Sequence, residues 1–294
     1  MSEPESMRAA VVIGGTRGIG FEVAAKLAGA GAGVVVNGRD ESAVDEAVTT
    51  LREAGHRAVG VAGSAAEDAV AERAMRTCVE TFGALDVLVN CAGTAEPEGS
   101  SILNVSTAQW RSLLDAHLTT AFATCRAAAP LMVAQGGGSI VNTSSFAYLG
   151  DYGGTGYAAG KGAVTSLTLA VAAELKEHGV RANVVCPGAR TRLSSGSGYE
   201  TKIRELHQRG LLDEMSMRGA LDAPPAEYAA QLYLFLAGPR AREVTGQIFI
   251  AAGNFVGRFD RPTPSILGYR DHTDAPPWDL DELERMITPE AARR

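Results

Sequence analysis

Short apolar runs alternate along the chain with longer segments in which apolar residues recur at helical spacing. The apolar runs predict strands at residues 8–13, 33–37, 57–61, 85–90, 138–144, 180–186 and 246–251. The segments between them predict amphipathic helices at residues 18–30, 40–54, 66–82, 106–135, 157–178 and 225–237. Near-continuous apolar strands separated by helices are typical of a parallel sheet that is covered on both faces. The order therefore predicts a doubly wound α/β fold of about seven strands.

The alternation continues without a linker, so we predict one catalytic domain over residues 1–253. A Ser/Gly-rich stretch, a charged helix-like segment and a Pro-Pro pair interrupt it at residues 194–224. A long insertion in a compact domain is often functional, and we expect a substrate lid there. Residues 254–294 form a C-terminal tail with no clear period. The tail is expected to wrap a surface of its own chain or to dock on a partner subunit.

Composition narrows the class of protein. The chain has 294 residues, of which 46% are hydrophobic and 21% charged, as in ordinary globular proteins. A net charge of −7 argues against a nucleic acid or an anionic membrane as partner. The four cysteines form no CxxC pair, which predicts reduced core residues and no metal site. No apolar leader or spanning segment is present, so we predict a cytoplasmic location.

Glycines in the spacing GxxxGxG occur at Gly14, Gly18 and Gly20, between the first predicted strand and the first predicted helix. Bare backbone N–H groups and the helix dipole at such a junction can hold a pyrophosphate. The same spacing recurs twice between Gly150 and Gly162, where no strand-to-helix junction is predicted. There we expect turn geometry and close helix packing.

Tyr157 and Lys161 stand four residues apart on one predicted helix. This spacing places the phenol and the ammonium on the same face, where the cation can lower the tyrosine pKa for acid/base work. Ser144 and Ser145 end the preceding predicted strand, where a hydroxyl can hydrogen-bond a substrate carbonyl.

Five motifs stand in register from about residue 8 to about residue 253. They are the glycine loop, Asn90-Cys91-Ala92-Gly93 after the fourth predicted strand, a serine after the fifth, the Tyr157/Lys161 pair, and Pro187-Gly188 after the sixth. In these motifs the chain resembles the single-domain short-chain dehydrogenases/reductases. The chain is also similar to the hydroxyacyl-CoA dehydrogenase modules of multifunctional β-oxidation enzymes. This similarity lies in residues 189–193, residues 245–249 and the long tail.

The resemblance implies a Rossmann-type sheet, a nicotinamide cofactor and a Ser-Tyr-Lys mechanism. Tyr157 would exchange a proton with the substrate oxygen, Lys161 would hold the nicotinamide ribose and lower the tyrosine pKa, and the serine would orient the carbonyl. The cofactor-binding residues implied are Gly14, Thr16, Arg17, Gly18, Ile19, Gly20, Arg39, Asn90, Ala92, Gly93, Tyr157, Lys161, Pro187, Gly188 and Thr191.

The turn after the second predicted strand bears on the choice of cofactor. An acidic residue there would bind the ribose 2′-hydroxyl of NAD, whereas an arginine would neutralise the 2′-phosphate of NADP. The chain reads Asn37-Gly38-Arg39, and Arg17 of the glycine loop can approach the same phosphate. We therefore predict NADP(H).

Two of the departures from the family pattern lie next to the predicted catalytic residues. His117 stands where the family commonly has an asparagine that anchors a water next to the lysine. The imidazole can relay protons or can simply be a packing residue, and the sequence leaves both open. For the serine, the strand register points to Ser145 and the distance back from Tyr157 points to Ser144. We favour Ser145, because strand register shifts less readily than loop length.

The function predicted from the sequence is an NADP(H)-dependent oxidoreductase that interconverts a carbonyl and a secondary alcohol, as a 3-oxoacyl or polyketide-type ketoreductase. One alternative is an NAD-linked 3-hydroxyacyl-type dehydrogenase. Another is a non-redox cyclase, dehydratase or isomerase that uses Tyr157 as acid/base, and a third is a cofactor-binding sensor. The expected partner is a small carbonyl or alcohol, such as an acyl thioester or polyketide. The family resemblance implies a homo-oligomer, either a tetramer or a dimer.

Overall fold

The computed structural model describes residues 7–191 and 197–288, and its strands and helices alternate in the order that the sequence predicts. The strands are β1 Ala9–Ile13, β2 Gly33–Gly38, β3 Ala58–Ala62, β4 Val87–Asn90, β5 Gly138–Thr143, β6 Val180–Gly188, β7 Ile248–Ala252 and β8 Phe255–Phe259. The helices are α1 Gly18–Gly29, α2 Glu41–Glu53, α3 Asp68–Phe82, α4 Thr107–Leu114, α5 Thr120–Ala134, α6 Thr155–Leu175, α7 Ser197–Gln208, α8 Glu214–Leu221, α9 Ala226–Ala237 and α10 Leu280–Ile287. A π-helical turn, Asp115–Thr119, joins α4 to α5.

The eight strands form one sheet in the order β3-β2-β1-β4-β5-β6-β7-β8. All neighbours from β3 to β7 run parallel, which confirms the predicted doubly wound sheet. The strand order reverses between β1 and β4, and ligands of such sheets bind in the crevice beyond the carboxyl ends at that point. The site is therefore expected where β1, β4, β5 and β6 end.

The eighth strand is a feature that the sequence pattern does not reveal. β8 pairs antiparallel with β7 through a turn in which Gly253 has a φ of +56°. The sequence pattern assigns the residues of β8 to the C-terminal tail. An edge strand needs no continuous apolar run, so the pattern gives no sign of it. A hairpin needs only a short turn, whereas a parallel strand needs a long crossover.

The core lies on both faces of the sheet. On one face, α1 and α9 bury side chains such as Leu27 and Leu236, and on the other, α3 and α5 bury side chains such as Met75 and Met132. Each such side chain stabilises the fold by about 1.5–3 kcal/mol of hydrophobic transfer free energy. Packing on both faces holds the strand ends in fixed positions.

A buried polar network joins the central strands to their helices. The Asn90 amide donates to Asn142 Oδ1 at 2.8 Å and accepts from the Thr124 hydroxyl at 2.9 Å. Asn142 in turn donates to Thr168 Oγ1 at 2.9 Å. Buried amides cost free energy unless they are hydrogen-bonded, so this network fixes β4 and β5 against α5 and α6.

The chain divides into two units, with the boundary between Phe259 and Asp260. In the second unit, the Arg270 guanidinium lies 3.9 Å from the centroid of the Trp278 ring and pairs with Glu282 at 3.2 Å. Asp279 and Glu282 form a capping box at the start of α10. The predicted role of the tail stays a prediction, and its residues 289–294 lie outside the described part of the chain.

The predicted lid contains α7 and α8. Ile203 and Leu206 of α7 and Leu212 of the turn between the two helices are buried and pack with Tyr152 and Tyr199. Residues 192–196 lie outside the described part of the chain, and the function of the lid stays a prediction. Among the helices that the structure describes, we find none with the length and apolar character needed to cross a bilayer.

Candidate active site

The glycine loop after β1 is pressed against the loop after β4. A Cβ at Gly14 would lie 2.7 Å from the Ala92 nitrogen, and one at Gly20 would collide with the Gly14 carbonyl oxygen. Gly14 and Gly18 also have φ angles of +73° and +54°, which disfavour other residues. α1 begins at Gly18 and no side chain caps its N-terminus. The unpaired N–H groups of a first helical turn are suited to hold a phosphate.

Two arginines flank a cavity beside this loop. The cavity has a volume of about 380 Å³ and is lined by Thr16, Arg17, Arg39, Asp40 and Ala43. The Asp40 carboxylate caps α2 by accepting the Ala43 N–H at 2.8 Å. Arg17 and Arg39 are both exposed, so the cavity presents two guanidinium groups at the end of β2.

Gly38 stands where an acidic residue would select NAD, and a side chain there would have to displace Thr16. A Cβ there would lie 2.5 Å from Thr16 Cγ2 and 3.2 Å from Val44 Cγ2. The preceding Asn37 is buried, and its amide donates to the carbonyl oxygens of Val61 and Gly63 at 2.8 and 3.2 Å. Asn37 thus ties β2 to β3, a structural role that sequence reasoning missed.

Tyr157, Lys161 and Ser145 come together where β5 and α6 meet. The Ser145 hydroxyl lies close enough to the half-buried Tyr157 phenol to lower its pKa. Lys161 Nζ lies 5.8 Å from the centroid of the Tyr157 ring, on the same face of α6 as predicted. The three side chains therefore lie close together at the carboxyl end of the sheet.

Lys161 is buried, and the end of β5 binds its ammonium group. Its Nζ donates to the Thr143 carbonyl oxygen at 3.0 Å, and the Thr143 hydroxyl bonds the buried Tyr233 hydroxyl at 2.8 Å. Burial lowers the pKa of Lys161 to about 8, because the ammonium loses hydration. Thr143 and Tyr233 support the lysine, and neither has a signal in the sequence.

The pKa of Tyr157 is raised above its ordinary value. Burial disfavours the phenolate, and this effect outweighs the Ser145 hydrogen bond, which lowers the pKa. The phenol is therefore protonated at neutral pH, the state needed to donate a proton to a substrate oxygen. The lowering by Lys161 that the sequence predicts stays a prediction.

The two candidate serines point in different directions. Ser144 is buried; its hydroxyl donates to the Lys161 carbonyl oxygen at 3.0 Å and accepts from the Thr165 hydroxyl at 2.8 Å. Ser145 begins the short 3₁₀ turn Phe146–Leu149, accepts the Ala147 N–H at 3.2 Å and also reaches Tyr157. The geometry thus places Ser145 beside the phenol and commits Ser144 to the interior of the fold.

His117 lies in the π-helical turn and is 3% exposed. Its Nε2 lies 3.0 Å from the Thr94 carbonyl oxygen, and its Nδ1 is a buried atom without a hydrogen-bond partner in the described part of the chain. Because a carbonyl oxygen only accepts, Nε2 carries the proton and Nδ1 is an acceptor. Burial and the nearby Lys161 charge lower the pKa of His117 to about 3, so its ring is neutral.

The remaining predicted residues occupy mixed positions. The Asn90 side chain belongs to the buried network, so only its backbone can face the crevice. Pro187 and Gly188 pair with Ala251 and Ala252 of β7. The pairing is close, since a Cβ at Gly188 would lie 2.7 Å from the Ala252 Cβ. Thr191 approaches the glycine loop, since a Cβ at Gly18 would lie 3.7 Å from its Cγ2.

The cysteines near the site carry protonated thiols. Burial raises the pKa of Cys91 to about 11 and that of Cys186 to about 12. Both are free, as are Cys78 and Cys125. A buried protonated thiol is a poor nucleophile, so neither cysteine is suited to covalent chemistry.

Comparison with known proteins identifies the family. The family model described as short chain dehydrogenase matches residues 8–196. The chain belongs to the short-chain dehydrogenase family. It is 35% identical to a hydroxyacyl-CoA dehydrogenase of Mycobacterium tuberculosis, over 96% of this chain and 88% of that protein. It is 32% identical to a 3-oxoacyl-[acyl-carrier-protein] reductase of Synechocystis, over 84% and 96%.

A solved structure of a short-chain dehydrogenase from Mycobacterium avium resembles this chain with a TM-score of 0.78 and 31% identity, covering 95% of this chain and 93% of that one. The family assignment confirms the resemblance inferred from the five motifs. This short-chain dehydrogenase is an oxidoreductase that acts on carbonyl or alcohol substrates with a nicotinamide cofactor.

Proposed function

We propose that this short-chain dehydrogenase is an NADP(H)-dependent reductase of 3-oxoacyl thioesters or related polyketide-type ketones. The observation that carries the proposal is the cluster of the Tyr157 phenol, the Ser145 hydroxyl and the Lys161 ammonium. A protonated phenol beside a hydroxyl donor suits the reduction of a ketone, because the developing alkoxide needs both a hydrogen bond and a proton.

The residues around the glycine loop fit a dinucleotide. The loop exposes the uncapped first turn of α1, where a pyrophosphate is favoured. Arg17 and Arg39 flank the cavity at the end of β2, and their charges favour a 2′-phosphate. A side chain at Gly38 would have to displace Thr16, so the packing here disfavours an acidic residue that would bind a ribose 2′-hydroxyl. These observations favour NADP(H) over NAD.

When bound, the nicotinamide supplies the hydride that adds to the carbonyl carbon. The chain supplies the proton: Tyr157 donates it to the carbonyl oxygen while Ser145 hydrogen-bonds the same oxygen. Lys161 stabilises the resulting phenolate by its charge, and Thr143 holds the ammonium in place. The alcohol product forms as the phenol loses its proton.

His117 acts in this scheme as a hydrogen-bond acceptor. Its Nε2–H is committed to the Thr94 carbonyl oxygen, and the ring is neutral over the physiological range. A neutral ring has no second proton to donate. Its Nδ1 lone pair is therefore free to accept a hydrogen bond in the site. It lies near the Lys161 ammonium: a Cβ at Gly93 would be 3.0 Å from Nδ1 and 3.6 Å from Nζ.

A second candidate is the oxidation of a 3-hydroxyacyl thioester with NAD. The match to the hydroxyacyl-CoA dehydrogenase favours it, because that match covers 96% of this chain and so extends into the C-terminal tail. The same residues serve this direction, with Tyr157 as proton acceptor.

Steady-state kinetics separate the two candidates. We expect the purified protein to consume NADPH with 3-oxoacyl thioesters at a kcat/KM at least about tenfold above that with NADH. Tyr157→Phe serves as the inactive control. Faster turnover of NAD with 3-hydroxyacyl thioesters would support the second candidate. Conversion of substrate without any change in nicotinamide absorbance would exclude both.

The predicted homo-oligomer and cytoplasmic location also belong to this proposal. Both follow from the family resemblance and from the composition of the chain. Sedimentation of the purified protein measures the first, with a dimer or tetramer as the expected result.

A further inference from the structure

Glu96, in the loop after β4, reaches the catalytic helix. Its Oε2 accepts the backbone N–H of Tyr157 at 2.6 Å, and its Oε1 accepts that of Gly156 at 3.3 Å. Oε1 also accepts the Ser100 hydroxyl at 3.0 Å. The carboxylate therefore bonds the backbone of the residue whose side chain is the proton donor.

These bonds replace a cap that α6 lacks. The N-cap residue of α6 is Gly154, which has no side chain and makes no capping hydrogen bond. Gly156 and Tyr157 are the second and third residues of the helix, the positions whose N–H groups a capping side chain normally binds. The cap comes instead from a residue 61 positions earlier in the chain.

Two glycines make room for this carboxylate. A Cβ at Gly154 would collide with Glu96 Cγ, and one at Gly156 would lie 3.3 Å from Oε2. Gly154 also has a φ of +85°, so both its backbone conformation and its contact with Glu96 favour glycine at this position. Within the glycine spacing that recurs before and within α6, Gly154 and Gly156 are thus the two positions that lie against Glu96.

The loop that carries Glu96 contacts the rest of the site. Ala92 abuts Gly14 of the glycine loop, and the Thr94 carbonyl oxygen accepts the His117 Nε2–H. A single loop therefore touches the cofactor cradle at one end and the start of the catalytic helix at the other.

We propose that Glu96 is a positioning residue that sets the orientation of Tyr157 by capping α6 from the β4 loop. The proposal rests on the proposed role of Tyr157 as proton donor. A displaced first turn would move the phenol away from Ser145, and small displacements of a reacting group cost large factors in rate.

The test compares Glu96→Gln and Glu96→Ala with Glu98→Gln, an exposed glutamate in the same loop. We expect kcat to fall about tenfold or more in both Glu96 variants, with little change in KM for the cofactor. Amide hydrogen exchange of residues 154–158 should become faster. The pH at which oxidation is half-maximal should move upward, because Tyr157 loses the Ser145 bond that lowers its pKa.

A kcat within twofold of wild type in Glu96→Gln, with unchanged amide exchange, would overturn the proposal. So would an equal loss in Glu98→Gln, or a shift of the pH profile downward, since the loss of a negative charge alone favours the phenolate. Amide exchange also keeps the proposal separate from the proposed function: an inactive wild type with faster exchange only in Glu96 variants would refute the reaction and retain the cap.

Discussion

The His117 and Tyr157 rings meet edge to face, with their centroids 5.1 Å apart and their planes at 88°. His117 also packs on α6, since a Cβ at Gly160 would lie 3.3 Å from the His117 Cβ. The glycine thus lets the imidazole approach the catalytic helix. The contact places a neutral ring, with an acceptor nitrogen and no charge, against the proposed proton donor Tyr157.

The buried His117 is expected to make stability depend on pH. Its pKa is about 3 in the folded protein and about 6.5 in an unfolded chain, so the unfolded state binds more protons between these values. The free energy of unfolding should fall as the pH is lowered through this window, by about 1.4 kcal/mol per unit from this residue. Urea denaturation across the window should show a shallower fall in His117→Asn, whereas the exposed His178→Asn should match wild type. Equal slopes in all three proteins would contradict the assignment.

The serines should separate into one that affects catalysis and one that affects stability. Ser145→Ala removes the hydroxyl that bonds the phenol, and we expect kcat to fall by about a hundredfold. Ser144→Ala leaves the buried Thr165 hydroxyl with one partner fewer, which should lower the free energy of unfolding by about 1–3 kcal/mol. Kinetics and denaturation of both variants provide the measurement. A larger loss of kcat in Ser144→Ala than in Ser145→Ala would reverse the assignment.

The raised pKa of Tyr157 predicts opposite pH dependences for the two directions of reaction. Reduction needs the protonated phenol, which persists up to and above the ordinary pKa of tyrosine. The ionisation of Tyr157 should therefore change the rate of reduction little across the neutral pH range. Oxidation needs the phenolate and should rise with pH. Tyr157→Phe should lose about 10²–10⁴-fold in kcat while its affinity for the cofactor is retained. A Phe variant that still turns over at a tenth of the wild-type rate would remove the residue from the chemistry.

Cofactor preference should respond to the contact between Gly38 and Thr16. Gly38→Asp alone forces a side chain against Thr16 Cγ2, 2.5 Å away, and should weaken the binding of both cofactors. Thr16→Ala with Gly38→Asp relieves that contact and provides a carboxylate for the ribose 2′-hydroxyl. We expect the ratio of kcat/KM for NADH to that for NADPH to rise about tenfold relative to Thr16→Ala alone. An unchanged ratio would show that the end of β2 does not select the cofactor.

Much of the fold could be predicted because its signals are local. The seven parallel strands are near-continuous apolar runs, and their alternation with amphipathic segments specifies a doubly wound sheet. β8 escaped prediction because an antiparallel edge strand is buried on neither face as fully as β1 or β2. The Tyr157/Lys161 pair could likewise be read from the sequence, since four residues of helix bring two side chains to one face.

By itself, the sequence determined the strand and helix order, the glycine loop and the spacing of the catalytic pair, because each depends on neighbouring residues. Only the tertiary structure decided how Ser144 and Ser145 divide, since a step of one residue turns a side chain from the crevice to the interior. It also decided the protonation of His117, which follows from burial and from the Thr94 carbonyl oxygen. The cap that Glu96 supplies to α6 depends on contacts across 61 positions, and no local pattern records a contact over that distance.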